Sequence, residues 1–517
     1  MAIRWLGGKV DHPMSDASQA RQIIDGLPAN DAAKALEEIT YWLDTIRQNE
    51  AFKLNQRFEN IDLLDGAARS HLRKLSHDYL VMPRQLKFQE NRLWNANFGL
   101  WRQLGDGYLQ CIKQYEDSLV GITLIRKSLP VIVARVIRAL TFQLKWELLR
   151  YGPVEPRIWA ELAQAYSIAE LRGFPDGVIA IYPGTLGEST VKREFLTAMM
   201  LSASSPEGLP PLHQEIAERT ASHLAAAFRM SNRPDGCTHC VDLAAPGPAL
   251  RLYKKVEPKA TLRFFGAGKG LAELNQLLVK ILGTGTVPEN INLGGGHGKD
   301  NVIGTFRHLA QYWSEQPPAR GSERRQTAGR ITVVPGLKEI LKTLDPSDDD
   351  TLDFSLNQPP TSQESWIVED VSDGGYGAII PTVKSDWIKV GTLVGVQSEA
   401  AKHWSVGLIR RIVRDQKEQR RVGIQLLTSA AIPVAISKSE TLSFTDADRE
   451  RERAILLHTG PDIRDEVGIV MRSGYFNRRD SIHITVRDVP YQLIPIDVVE
   501  RGDDFEWVRF KVMPRNT

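Results

Sequence analysis

From about Ser15 to Ser231, and again in a last helix that ends near Trp313, apolar residues recur every three to four positions, and from about Arg330 onward they recur every second position. That change of period most constrains the fold, because a helical stripe and a half-buried strand cannot share a pattern. The stretches "SDASQARQIIDGL" and "NDAAKALEEITYWLDTIRQNEAF" open on capping residues and carry i, i+3/i+4 apolar steps. "RIWAELAQAYSIAEL" could open a helical repeat, but a shift of one repeat length finds no second copy, which favours one helix of a bundle. After "SEQPPARGSERRQTAGR" come "RITVV", "SWIVEDV", "GAII", "TLVGVQ", "WSVGLIRRIV" and "RRVGIQLL", each bounded by turn residues. A further set, "EVGIVM", "SIHITV", "YQLIPIDVV" and "FEWVRFKV", starts near Asp465. The expected fold is multidomain α + β: an α-helical N-terminal region, then an antiparallel β-barrel with an accessory β module. The expected segments are helical 1–231, a mixed Gly-rich 232–315 with a closing helix, an arginine-rich linker 316–330, a barrel 331–445 and a β module 446–517.

Composition narrows the function. The 517 residues carry 65 basic and 63 acidic side chains, so no global field draws the chain to DNA, RNA or anionic lipid. The most apolar helical stretch, "SLPVIVARVIRALTFQLKWELLRY", is interrupted by Arg135, Arg138 and Lys145. A spanning helix needs ~20 mostly apolar residues, so this reads as a core helix. "MAIRWLGGKVDHP" has no apolar core after a basic start, and Cys111, Cys237 and Cys240 cannot build a disulfide framework. A cytoplasmic location is expected. "FFGAGKG" and "GGGHGKD" both miss the phosphate-loop spacing, the second placing Asp300 where a Ser or Thr is needed. No nucleophile–base, zinc-protease or paired-carboxylate pattern stands out, so no enzyme is expected and no cofactor or metal.

The informative corner is "SWIVEDVSDGGYGAIIP", where Asp370, Ser372 and Gly375 end a strand. Upstream stand Arg320, Arg324, Arg325 and Arg330. A hydroxyl, a carboxylate and a glycine that admits close approach suit a guanine edge, and arginine forks suit phosphates and guanine O6/N7. Read as local structure, the same corner is a turn whose Asp and Ser cap their own backbone.

From Ser322 to Ala435 these residues resemble the PilZ domain of bacterial cyclic di-GMP receptors. The resemblance rests on the arginine linker, on "EDVSDGGYGAII" as the family's D/N-x-S-x-x-G motif, and on "WSVGLIRRIVRDQKEQRRVGIQLL" as its closing hairpin. It implies a six-stranded barrel without catalytic activity, holding cyclic di-GMP with linker arginines. Carried over residue by residue, the ligand-binding set is Arg324, Arg325, Arg330, Asp370, Ser372 and Gly375, with Arg325 and Arg330 the main pair. Arg325 to Arg330 is one residue longer than the family's R-x-x-x-R, whereas Arg320–Arg324 keeps that spacing farther from the strand. The resemblance implies a receptor that signals to the helical region or, through it, to a protein partner. The alternative is a PilZ-like scaffold that binds no nucleotide and serves a motility, pilus or envelope assembly.

"CTHC" lacks the second ligand pair that a structural zinc needs. Elemental analysis of protein purified without chelator is expected to find no stoichiometric metal. About one zinc per chain, lost in Cys237→Ser/Cys240→Ser, would show the opposite.

Overall fold

The computed structural model describes residues 10–82, 86–117, 125–182, 188–254, 256–316, 323–345, 363–381, 387–399, 401–417, 419–438, 452–457, 465–486 and 489–514. Arg320 and most of the insertion that precedes Trp366 lie outside them. The chain forms two compact units, Met1–Ala319 and Arg320–Thr517.

The first unit is built on α1 (Ala17–Asp25), α2 (Ala32–Gln48), α3 (Leu54–Val81), α4 (Lys87–Asp117), α5 (Leu129–Leu148), α6 (Pro156–Leu171), α7 (Val191–Ser202) and α8 (Pro211–Leu224). The starts of α1, α2 and α7 follow from capping. The Asp16 carboxylate accepts from the Ser18 and Gln19 amides at 3.0 Å, and Asp31 accepts from Lys34 at 3.0 Å. The Thr190 hydroxyl accepts from Arg193 at 3.1 Å, so each side chain satisfies amides that the first turn leaves unpaired. α6 instead opens on Pro156 and packs as one helix of the bundle against α5 and α7.

α5 packs against α4, α6, α7 and α8 and is buried on nearly every side. The charges that interrupt it in sequence have partners. Lys145 Nζ lies 2.7 Å from Glu215 and 2.9 Å from Glu218, and Arg138 forks onto Glu194 at 2.9 and 3.0 Å. Arg135 donates to the carbonyl of Ile181 and to Tyr108. Among the described residues no helix is long and apolar enough to cross a membrane.

A small antiparallel sheet of β1 (Arg229–Ser231), β2 (His239–Asp242), β3 (Leu250–Arg251) and β4 (Leu262–Gly266) follows, in the order β1–β4–β2–β3. α9 (Gly270–Thr284) and α10 (Lys299–Trp313) complete the unit. The closing helix was expected. α9 was not, because its aliphatic residues occupy more than one face, with Val279 and Leu282 exposed while Leu274 and Ile281 are buried. Cys240 packs with Leu262 and Phe264, with Cys237 beside them. Burial raises the pKa of both thiols, which disfavours the thiolate that ligates metal.

The second unit contains two closed antiparallel barrels. In the first, β5 (Arg325–Pro335), β6 (Glu364–Ser372), β7 (Gly375–Ile380), β8 (Leu393–Ser398), β9 (Ser405–Arg414) and β10 (Arg420–Thr428) close in the order β10–β7–β6–β5–β8–β9. Trp366 fills its interior and stacks on Trp387 with centroids 5.7 Å apart, both indoles donating to Glu364. The second is formed by β11 (Ile432–Lys438), β12 (Glu452–Leu457), β13 (Glu466–Arg472), β14 (Ile482–Val486), β15 (Val489–Arg501) and β16 (Phe505–Pro514). Its order is β11–β12–β13–β16–β15–β14, so the accessory module is itself a barrel.

Two boundaries differ from the sequence reading. β5 begins at Arg325 rather than at the "RITVV" stretch, because its polar start pairs with the far end of β6, Arg325 opposite Val371 and Gln326 opposite Asp370. β11, expected to lie within the first barrel, pairs with β12 and β14 and opens the second.

α11 (Gly336–Leu344) follows β5 directly and lies between the barrels. Its Leu337, Ile340 and Leu341 pack with Leu393, Val406 and Leu408 of the first barrel and with Ile455, Val470 and Phe505 of the second. The helix has no side-chain cap of its own, and Asp504 of the second barrel accepts from the Leu337 amide at 2.6 Å. Asp504→Ala is therefore expected to destabilise this unit by about 1 kcal/mol, and Asp504→Asn by less. Urea unfolding followed by tryptophan fluorescence would measure both.

Candidate functional site

Side-chain direction along β6 is set by a bulge. Trp366 and Val368 face the interior, and regular alternation would turn Asp370 inward too. Against β7, however, Val368 pairs with Ala378 and Asp370 with Gly377, so Glu369 is the extra residue and Asp370 swings to the outer face. β5 carries a matching irregularity between Gln326 and Gly329. Alternation then puts Arg324, Gln326 and Arg330 on the same outer face and assigns Arg325 to the other.

On that face Arg324 Nη1 lies 2.9 Å from Asp370 Oδ1 and donates to Oδ2 at 3.0 Å. Arg330 Nη1 donates to Ser365 Oγ at 3.4 Å, and all three arginines are exposed. Ser372 and Gly375 pair across the tip of the β6–β7 hairpin. The structure thus brings Arg324, Asp370 and Ser372 to one corner, with Arg330 farther along the strand.

Gly375 has a structural task. A Cβ there would stand 1.9 Å from the carbonyl oxygen of Ile424, where β7 presses on β10, and its φ is +157°. Gly377 has a different one: a Cβ would stand 2.6 Å from Asp370 Oδ1, so its bareness lets the carboxylate lie flat across β7. Beyond Gly377, Gly423 continues the bare floor onto β10, and Arg411 of β9 pairs with Gly423. Arg421 and Gln425 flank Gly423 on the same face, while Val422 and Ile424 point inward. The result is a glycine-floored shelf rimmed by Asp370 with Arg324, by Arg411, by Arg421 and by Gln425. Arg421 Nη2 lies 3.6 Å from Glu369.

Such a shelf admits a flat, anionic ligand: the bare backbone at Gly423 permits close approach beside the carboxylate that covers Gly377, and guanidinium groups on several sides offer donors to phosphate. The sequence reading missed Gly377, Gly423, Arg411, Arg421 and Gln425. The alternation of "RRVGIQ", with one apolar face and one of Arg, Gly and Gln, carried the signal. Among the described residues no group of three or more His, Cys, Asp or Glu side chains could hold a metal ion.

Two family models match the chain, and together they cover more than half of it. Residues 18–235 match the N-terminal domain of the cyclic-di-GMP receptor FimW, and residues 348–433 match its middle PilZ domain. Asp370, Ser372 and Gly375 lie inside the second match, whereas Arg324, Arg325 and Arg330 precede it. No curated protein matches the chain.

Gly375→Val is expected to unfold the first barrel or destabilise it by about 3 kcal/mol or more, since the β10 backbone cannot yield. Gly377→Ala should cost about 1 kcal/mol and chiefly displace the Asp370 carboxylate. Circular dichroism with urea titration of the two variants would separate these effects.

Proposed function

The chain belongs to the family of FimW-type cyclic di-GMP receptors, and from that premise we propose that the dinucleotide binds on the glycine-floored outer face of the first barrel. The observation that carries this is the bulge that turns Asp370 out beside Arg324. Arg324 and Arg330 supply donors for phosphates and guanine O6/N7, and Asp370 and Ser372 meet a guanine edge, whereas Arg325, on the other face of β5, does not join them. Gly375 contributes by letting the hairpin sit on β10.

The Arg324–Asp370 pair is exposed, and such pairs are worth under about 1 kcal/mol. A phosphate can therefore take the Arg324 fork at little cost and free Asp370 for a guanine. Transfer of the Arg324 fork from Asp370 to the ligand is the local change that a receptor of this kind reports. The helical unit is the output surface, meeting a protein partner. The protein works in the cytoplasm, a reading with which three free thiols agree.

Calorimetry with cyclic di-GMP, with GTP as control, tests the reading. A bidentate arginine contact is worth about 1–3 kcal/mol, so Arg324→Ala and Arg330→Ala should each weaken binding ~5- to 150-fold. Arg→Lys should rescue little, since a point charge cannot reproduce the fork. Ser372→Ala, which removes one hydrogen bond worth about 0.5–1.5 kcal/mol, should cost less. No heat from the wild type at tens of micromolar ligand (~10⁻⁵ M, about 7 kcal/mol of binding) would leave the scaffold reading. The position of the arginines outside the PilZ match is the observation that favours it.

A further inference from the structure

Gln425 stands on the rim of the shelf, opposite Gly375 and next but one to Gly423 on β10. Its neighbour on β9 is irregular. Gly423 pairs with Arg411 and Ile424 with Ile409, so Arg410 is the extra residue of a bulge. The bulge points the Arg410 guanidinium at two groups at once. Nε donates to Gln425 Oε1 at 2.7 Å, while Nη1 and Nη2 donate to Glu500 Oε1 and Oε2 at 2.6 and 2.7 Å. Glu500 belongs to β15 of the second barrel.

An arginine only donates, so the side-chain oxygen of Gln425 must face Arg410 and its NH2 group must point away. A fixed NH2 group suits an acceptor. Guanine offers O6 and N7 on one edge, whereas adenine has an amino donor in place of O6. We propose that Gln425 reads the acceptor edge of guanine on the shelf and that Glu500 of the second barrel positions it through Arg410. The proposal rests on the shelf being the cyclic di-GMP site. It makes the second barrel part of ligand recognition: Arg410 held at both ends keeps the amide in one of its two orientations, and an Arg410 released from Glu500 does not.

The test is calorimetry on the full chain with cyclic di-GMP and cyclic di-AMP, comparing wild type, Gln425→Ala, Glu500→Gln and the double variant. Gln425 is exposed, so its truncation leaves the core untouched. Gln425→Ala should weaken cyclic di-GMP about tenfold and cyclic di-AMP hardly at all, narrowing the preference for guanine. Glu500→Gln should weaken cyclic di-GMP about three- to fivefold, a share of the same contact. In the Gln425→Ala background Glu500→Gln should have no further effect, since a positioning residue has nothing left to position. A merely structural Glu500 would weaken binding equally in both backgrounds. Tight binding by wild type with Gln425→Ala within about twofold of it, or a Glu500→Gln loss that persists in the double variant, overturns the proposal alone. Absence of binding by the wild type overturns the site assignment and the proposal together.

Discussion

The first barrel depends on β7 lying against β10 closely enough for the Gly375 backbone to meet the carbonyl of Ile424. The same approach allows Leu426 to donate its amide to Gly374 at 2.9 Å, tying the hairpin tip to the closing strand. With the tip fixed, the register of β6 against β7 is fixed, and the extra residue at Glu369 has only one place to go. Asp370 faces outward as a consequence. A side chain on a strand cannot choose its face independently of register, so fold and site are here one constraint.

The helical unit solves a different problem. Burying Lys145 strips its water, a cost that attraction repays only with good geometry and further hydrogen bonds. Glu215 and Glu218 provide both on Lys145, and Arg219 in turn lies 3.0 Å from Glu215, so the buried charges form a neutralised network. Removing one member would leave an uncompensated charge in the core, which is why the network holds α5 and α8 in a defined relation.

Much of this was legible in the sequence. The change from helical to strand period separated the two halves of the chain, and the buried charges of α5 already spoke against a spanning helix. The corner of Asp370, Ser372 and Gly375 was visible as a motif, but its geometry was not. The bulge at Glu369 depends on what β7 offers opposite it, and no local pattern in "WIVEDVS" marks which residue is extra. The start of β5 was hidden for a similar reason: "RQTAG" has weak strand character, and only pairing with the end of β6 extends the strand through it. The place of β11 was hidden because a strand's partners are set by topology, and the chain passes from β10 to β11 within a few residues.

The shelf depends in turn on the seam between the two barrels. α11 leaves β5 straight after the arginine-bearing strand and buries Leu337, Ile340 and Leu341 against side chains of both barrels. Arg453 of β12 donates to the carbonyl of Leu341, Asp504 caps the helix, and Lys389 pairs with Asp503. A fragment ending near residue 445 would keep every strand of the first barrel yet expose this seam and leave Arg410 without Glu500. Burial of such apolar side chains is worth about 1.5–3 kcal/mol each, comparable with the net stability of a small domain when several are lost together. The two barrels therefore behave as one folding body, and the shelf is a property of that body rather than of the first barrel alone.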